Sequence, residues 1–319
     1  MMDRVTLCEV APRDGFQPVR TFIPTESKIE TVKRLAASGL DRIEIGAFVS
    51  PKAIPQMADI REVWAATRDQ DTFRPSVLVP NAKGAELALE QGLKEIVFVL
   101  SVSESHNRSN VARSVAESMG ELRALIERLD EVQGGFLRVN LATCFDCPFE
   151  GTIARERVTA LVAAISPLRA QIEYGICDTT GRANPAQVAA LFAALVPVVG
   201  AAGQDLAFHG HDTFGLGVAN ALYAYQAGVR IFDAAAGGLG GCPFAPGASG
   251  NTATEDLIFA FENMGIATGV NLNALLDAAG YVASLDPPSS GGHLTRVPRG
   301  RALGPAHKSP TEIVDCSAG

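Results

Sequence analysis

Short runs of apolar and β-branched residues alternate with longer stretches whose apolar positions recur every three to four residues, from residue 5 to beyond residue 260. Short apolar runs predict buried strands, and the longer spacing predicts amphipathic helices. The strand-like runs are 5–10, 42–48, 75–79, 95–102, 137–142, 172–177, 206–210 and 231–235. Helical spacing appears over 25–38, 83–91, 111–129, 154–165, 185–198, 217–227 and 255–264. Such alternation marks a parallel sheet built from repeated strand–helix units. Eight strands, each followed by a helix, close naturally into a barrel, whereas a doubly wound sheet more often stops at about five to seven. The predicted fold class is α/β, a (β/α)8 TIM barrel with a short C-terminal helical extension.

The barrel is expected over residues 1–268 and the extension over 269–319. The extension carries one more helical stretch, 272–282, and then Pro287-Pro288-Ser289-Ser290-Gly291-Gly292. That composition disfavours packed structure. The segment is expected to be either a cover over the barrel or a loosely ordered, flexible tail.

A chain of 319 residues, 47% hydrophobic and 19% charged, can bury a large core. The net charge of −8 gives no extended basic surface, so no nucleic acid and no membrane partner is expected, and a small-molecule role is favoured. No apolar run is long enough to span a bilayer, and the first strand-like run begins at residue 5, leaving no room for a signal segment. The expected location is cytoplasmic. Six cysteines without the dense spacing of a secreted scaffold fit reduced thiols.

Working groups of such barrels sit at the C-terminal ends of the strands. Reactive residue types collect there: Arg13, Asp14 and Gln17 after the first strand, Glu44 in the second, Asp178 and Thr179 after the sixth, His209 and His211 at the seventh. On an extended strand, residues two apart face the same side, so both imidazoles can reach one ion. An isolated His-x-His is more often packed or hydrogen-bonded at a strand end, but Asp14 on the same rim turns the balance towards a metal. Two imidazoles with a carboxylate or amide oxygen suit a divalent cation, and without a cysteine ligand the harder Mg2+ or Mn2+ is favoured over zinc.

Residues 237–251 are glycine-rich and hold a single cysteine, Cys242, which such a mobile lid could carry into the site as an acid or base. A lone cysteine is ordinarily an inert small residue, but the flanking glycines argue against burial. Cys144 and Cys147 form a Cys-x-x-Cys with no second pair to complete a zinc site, so redox and zinc readings are both disfavoured. Cys8 and Cys177 are expected in the core, and Cys316 lies in the tail with no assignable role.

Arg13-Asp14-Gly15-Phe16-Gln17, Phe48-Val49-Ser50-Pro51, Pro55-Gln56-Met57-Ala58-Asp59, Cys147-Pro148-Phe149-Glu150-Gly151, His209-Gly210-His211-Asp212-Thr213 and residues 238–256 together resemble hydroxymethylglutaryl-CoA lyases of the DRE-TIM metallolyase superfamily. The likeness covers roughly residues 5–275. It implies retro-Claisen cleavage of an acyl-CoA such as hydroxymethylglutaryl-CoA to acetyl-CoA and a keto acid, with a homodimer as the expected assembly. By motif match, Asp14, His209, His211 and Asn251 would hold the ion. Arg13 would stabilise the enolate of departing acetyl-CoA, and Cys242 would protonate it. Glu44 and Asp178 would handle the hydroxyl or its proton, with His209 beside them and Gln17 and Thr179 binding substrate.

Departures cluster around the acyl portion. Gly46-Ala47 replaces a hydroxylic residue before Phe-Val-Ser-Pro, Pro18-Val19-Arg20 follows Gln17, and residues 178–184 differ from the usual Gly-Asp-Thr-Ile-Gly run. None touches an implied ligand, so citramalyl-CoA or a longer hydroxyglutaryl-CoA stands as an alternative substrate. A Claisen-condensing or aldolase relative is disfavoured by Cys242, and a silent acyl-CoA-binding barrel by the intact ligand set.

Overall fold

A computed structural model describes residues 3–240 and 250–303. Ten strands occur among them: β1 Thr6–Glu9, β2 Arg42–Ala47, β3 Arg74–Val79, β4 Glu95–Ser101, β5 Phe136–Ala142, β6 Asp146–Cys147, β7 Gly151–Thr152, β8 Glu173–Asp178, β9 Asp205–Gly210 and β10 Ile231–Ala234. Eight of them form a closed parallel barrel in the order β1-β10-β9-β8-β5-β4-β3-β2, with β1 pairing both β10 and β2. The TIM barrel expected from the alternation is the observed fold. β6 and β7 form a small antiparallel hairpin above β5, too short to register as a hydrophobic run.

The helices are α1 Thr25–Ala37, α2 Ile60–Thr67, α3 Ala82–Glu90, α4 Glu104–Val111, α5 Val115–Asp130, α6 Arg155–Ile165, α7 Pro185–Ala201, α8 Gly217–Gln226, α9 Thr254–Asn263, α10 Leu272–Leu285 and α11 Arg299–Ala302. Where 111–129 reads as one helix, the chain forms two. Ala112 takes a left-handed conformation that ends α4, and Ser114 and Glu117 form a capping box that starts α5. The short helix α2 also escaped the sequence reading. A second capping box, Asn184 with Gln187, and Pro185 at the first helical position fix the start of α7.

Strand alternation separates two interiors. Outward residues such as Ile43, Val139, Tyr174, Ile176, Phe208 and Phe232 are fully buried against the helices. Phe208 meets Phe192 of α7 at 5.8 Å between ring centroids, and Phe232 meets Phe261 of α9 at 5.0 Å. This apolar shell is the main source of burial free energy. Inward residues of the same strands include Arg42, Glu44, Arg138, Glu173, His209 and Asp233, all buried. The Arg42–Glu173 and Arg138–Asp233 bonds join strands that are not neighbours in the sheet, so they cross the barrel's interior.

α10 packs along α1: Asn271 N donates to Ser38 O at 2.8 Å, and the Arg34 guanidinium lies over the Tyr281 ring. The chain then turns back over the end of β10, where Gly291 N and Gly292 N donate to Gly237 O at 2.9 and 3.1 Å. The described part of the extension therefore packs on the barrel. Among the described residues, no helix is long and apolar enough to cross a membrane.

Candidate active site

At the C-terminal mouth of the barrel, β1 leads into one turn of π-helix, Ala11–Gly15, in which Gly15 N and Phe16 N reach back five residues to Val10 O and Ala11 O. A π turn widens the helix and re-aims its side chains, and such turns concentrate at functional sites. Here it turns Arg13 and Asp14 inward together. Arg13 Nε donates to Glu44 Oε1 of β2, and its Nη1 donates to Asp14 Oδ1.

His209 is the last residue but one of β9, and His211 follows just beyond the strand, with the two ring centroids 5.2 Å apart. Their Nε2 atoms lie 3.8 and 3.9 Å from Asp14 Oδ2. One ligand atom from each of Asp14, His209 and His211 falls within 4.8 Å of the others. Asn251 is held beside them by an antiparallel bridge to His211, and its Nδ2 donates to Asp14 Oδ2 at 2.9 Å and Leu239 O at 3.2 Å. Asn251 Oδ1 and His211 Nδ1 are buried with no hydrogen-bond partner among the described residues. Such orphan polar atoms are costly unless something satisfies them. The donor set of two imidazole nitrogens, a carboxylate and an amide oxygen fits a divalent cation.

Burial pushes the Asp14 carboxyl up, but Arg13, helped by His209 and His211, holds it well below the usual carboxylate range. Burial lowers His211 to about 4, so its imidazole is neutral and free to ligate. Glu44 is raised by burial, with Arg13 opposing. Asp178, fully buried at the end of β8, is pushed by burial to about 7. Its Oδ2 accepts from Ala183 N at 3.2 Å, while its Oδ1 has no hydrogen-bond partner among the described residues. A carboxyl that changes charge near neutrality and has a spare oxygen is suited to proton transfer.

The remaining sequence candidates are placed as follows. Gln17 follows the π turn, half-buried, its N–H bonded to Arg13 O at 2.9 Å. Thr179, next to Asp178, accepts from Thr143 N at 2.8 Å through its hydroxyl. Thr143 has a φ of +58°, an uncommon conformation for a threonine, at the rim end of β5. Cys242 and its glycine-rich surroundings, 241–249, lie outside the described residues, as does Cys316. Cys144 and Cys147 are buried and free, and Cys147 Sγ is 3.0 Å from Ser103 Oγ.

Sequence reasoning missed what lies beneath the rim. His209 Nδ1 bonds Asp233 Oδ2 at 3.0 Å, and Arg138 Nη2 donates to the same oxygen at 2.7 Å. Burial raises the Asp233 carboxyl, but Arg138 and His209 outweigh it and leave it lowered. The available signal was a lone inward charge in each of several apolar strands.

The HMGL-like family model matches residues 4–282, a span that includes every element carrying these groups. The chain belongs to the HMGL-like family. Among HMGL-like relatives it is 41% identical over 298 residues to an (R)-citramalyl-CoA lyase of Chloroflexus aurantiacus, covering 89% of this chain and 91% of that one. It is 42% identical over 286 residues to hydroxymethylglutaryl-CoA lyase YngG of Bacillus subtilis, covering 88% and 92%. Its barrel superposes on that of an HMG-CoA lyase from Acinetobacter baumannii in complex with coenzyme A and 3-methylmalate, with a TM-score of 0.87, 40% identity and coverage of 96% and 98%.

Proposed function

We propose that this chain is a carbon–carbon lyase that cleaves a branched 3-hydroxyacyl-CoA of the 3-hydroxy-3-methylglutaryl type to acetyl-CoA and a keto acid by a divalent-metal-assisted retro-Claisen reaction. The observation that carries it is the convergence of Asp14, His209 and His211 within 4.8 Å, beside the Arg13–Glu44 pair and the partner-poor Asp178. The relatives named as lyases of CoA esters support the same reaction class.

Charge balance also supports a divalent ion. One cation, Arg13, faces the carboxyls of Asp14 and Glu44, and the imidazole of His211 is neutral. With both carboxyls ionised, this group carries one negative charge in excess. An ion bound there would polarise the substrate hydroxyl and lower its pKa, and Mg2+ or Mn2+ fits the mainly hard ligands.

Asp178, near neutrality, is suited to take the hydroxyl proton as the carbon–carbon bond breaks. The electrons of that bond pass to the acetyl-CoA fragment as an enolate. Arg13, fixed by Glu44 and Asp14, places a permanent cation beside the developing charge. Glu44 holds Arg13 in that orientation. Cys242 is the candidate proton donor to the enolate carbon. Gln17 and Thr179 are the candidate substrate-binding side chains, and a homodimer is the expected assembly.

A second substrate reading has its own support. The Chloroflexus aurantiacus relative is named for (R)-citramalyl-CoA, and the Acinetobacter baumannii structure holds 3-methylmalate, a 2-hydroxy dicarboxylate one carbon shorter than hydroxymethylglutarate.

Product analysis tests both readings. Metal-stripped protein is incubated with hydroxymethylglutaryl-CoA or citramalyl-CoA, with and without Mn2+, and acetyl-CoA, acetoacetate and pyruvate are measured. Mn2+-dependent acetoacetate is the expected result. Pyruvate alone keeps the mechanism and changes the substrate, and no acetyl-CoA from either refutes the lyase reading.

A further inference from the structure

A chain of buried charges runs from the floor of the barrel to the metal ligands. Arg42 of β2 grips Glu173 of β8 with two bonds, at 2.8 and 2.9 Å. Arg138 of β5 reaches Glu173 at 3.4 Å, Asn140 Oδ1 at 2.8 Å and Asp233 Oδ2 of β10 at 2.7 Å. Asp233 Oδ2 in turn bonds His209 Nδ1 at 3.0 Å. Arg138, Glu173 and Asp233 are each no more than 3% exposed.

We propose that Asp233, braced by Arg138, is a positioning residue that fixes the tautomer and ring plane of His209 and thereby sets divalent-ion affinity. This rests on reading Asp14, His209 and His211 as the ion's ligands. A ring nitrogen facing a carboxylate carries the proton, so Nδ1–H donates to Asp233 and the Nε2 lone pair turns towards Asp14, 3.8 Å away. Arg138 occupies the same carboxylate oxygen from below, so Asp233 cannot rotate without breaking a buried ion pair. Two opposed grips on one oxygen leave the ring little freedom.

The adjoining strand is fitted to this arrangement. A Cβ on Gly175 would lie 2.0 Å from Asn140 Oδ1 and 3.0 Å from Arg138 Nη2. The glycine leaves room for the arginine fork, as expected of a brace built into the barrel.

The test compares wild type with Asp233→Asn, an isosteric change that removes the charge. Mn2+ affinity is measured by electron paramagnetic resonance titration of metal-stripped protein, with thermal unfolding in parallel. The expected result is about 10–100-fold weaker Mn2+ binding. A purely structural role would lower the unfolding temperature and leave the affinity of the folded fraction unchanged, which would overturn the proposal.

A second measurement does not depend on the folding of Asp233→Asn. Histidine 15N spectra of metal-free wild type, with the His209 resonances assigned from their absence in His209→Gln, should show Nδ1 protonated and Nε2 bare. The reverse tautomer would overturn the proposal. Failure of wild type to bind Mn2+ would remove the metal reading itself, and the tautomer would still decide whether Asp233 orients the ring.

Discussion

The floor of the barrel and its rim are both lined with buried charge, but they differ in how completely that charge is paired. Below, Arg42, Glu173 and Arg138 interlock, and the carboxylate of Glu173 is gripped on both oxygens. Above, Asp178, His211 and Asn251 each keep a buried polar atom with no hydrogen-bond partner among the described residues. Buried polar atoms are ordinarily satisfied, so the paired layer behaves as scaffold, and the unpaired layer marks where a ligand completes the structure. Asp233 belongs to both: its Oδ2 serves Arg138 and His209, and its Oδ1 is unpartnered.

The sharpest break in the comparison comes from Asp178→Asn. Removing a general base costs roughly 10²–10⁴-fold in rate. Because Asp178 titrates near 7 and acts without its proton, kcat/KM of wild type should rise with pH and level off above about 7. The variant should lose that limb along with the rate. An acidic limb that persists would assign the titration to another group.

The same variant should move stability the other way. Asp178 is raised from 3.8 to about 7 in the folded protein, so the folded state holds the proton to higher pH than the unfolded chain. Stability from this group is fully present below pH 4 and is lost as pH rises through 7. Asn carries no such penalty, so at pH 8 the variant should unfold at a higher temperature than wild type, while the two converge near pH 4. This contrast is expected of a group placed for chemistry at some expense of stability.

In the paired layer the expected outcome is opposite in kind. Arg138→Met leaves Glu173 partly paired and Asp233 with no cation, and breaking a buried pair in this way costs about 3–5 kcal/mol. Urea unfolding of the metal-free protein measures it. A loss below about 1 kcal/mol would mean that the floor charges are not acting as a scaffold.

The comparison also explains what was legible in the sequence. Eight βα units could be read because strand and helix periods are local, and the rim residues fall together because strand ends in a barrel share one face. Arg138, Glu173 and Asp233 could not be read in this way. Arg138 and Asp233 are each the single charge in an apolar strand, Glu173 opens a strand whose other charge is Asp178, and the partners lie 131 and 95 residues apart in the Arg42–Glu173 and Arg138–Asp233 pairs. Only closure of the barrel brings them together. The split between α4 and α5 was missed for a local reason: the stop depends on the left-handed Ala112 and the start on the Ser114 cap, neither of which interrupts the apolar spacing.

Gly175→Ala carries the smallest predicted effect and most finely separates the two layers. The added methyl meets Asn140 Oδ1 at 2.0 Å and Arg138 Nη2 at 3.0 Å, so the arginine fork must shift. Overpacking of this kind costs about 1–3 kcal/mol. If the floor were scaffold alone, Mn2+ affinity would stay at the wild-type value while stability fell. Because Nη2 is the atom that braces Asp233, and Asp233 holds His209, the strain should instead also appear as Mn2+ binding weakened by a few-fold, less than in Asp233→Asn. Equal affinities in Gly175→Ala and wild type would confine the coupling to Asp233 and show that the layer beneath it can move without reaching the rim.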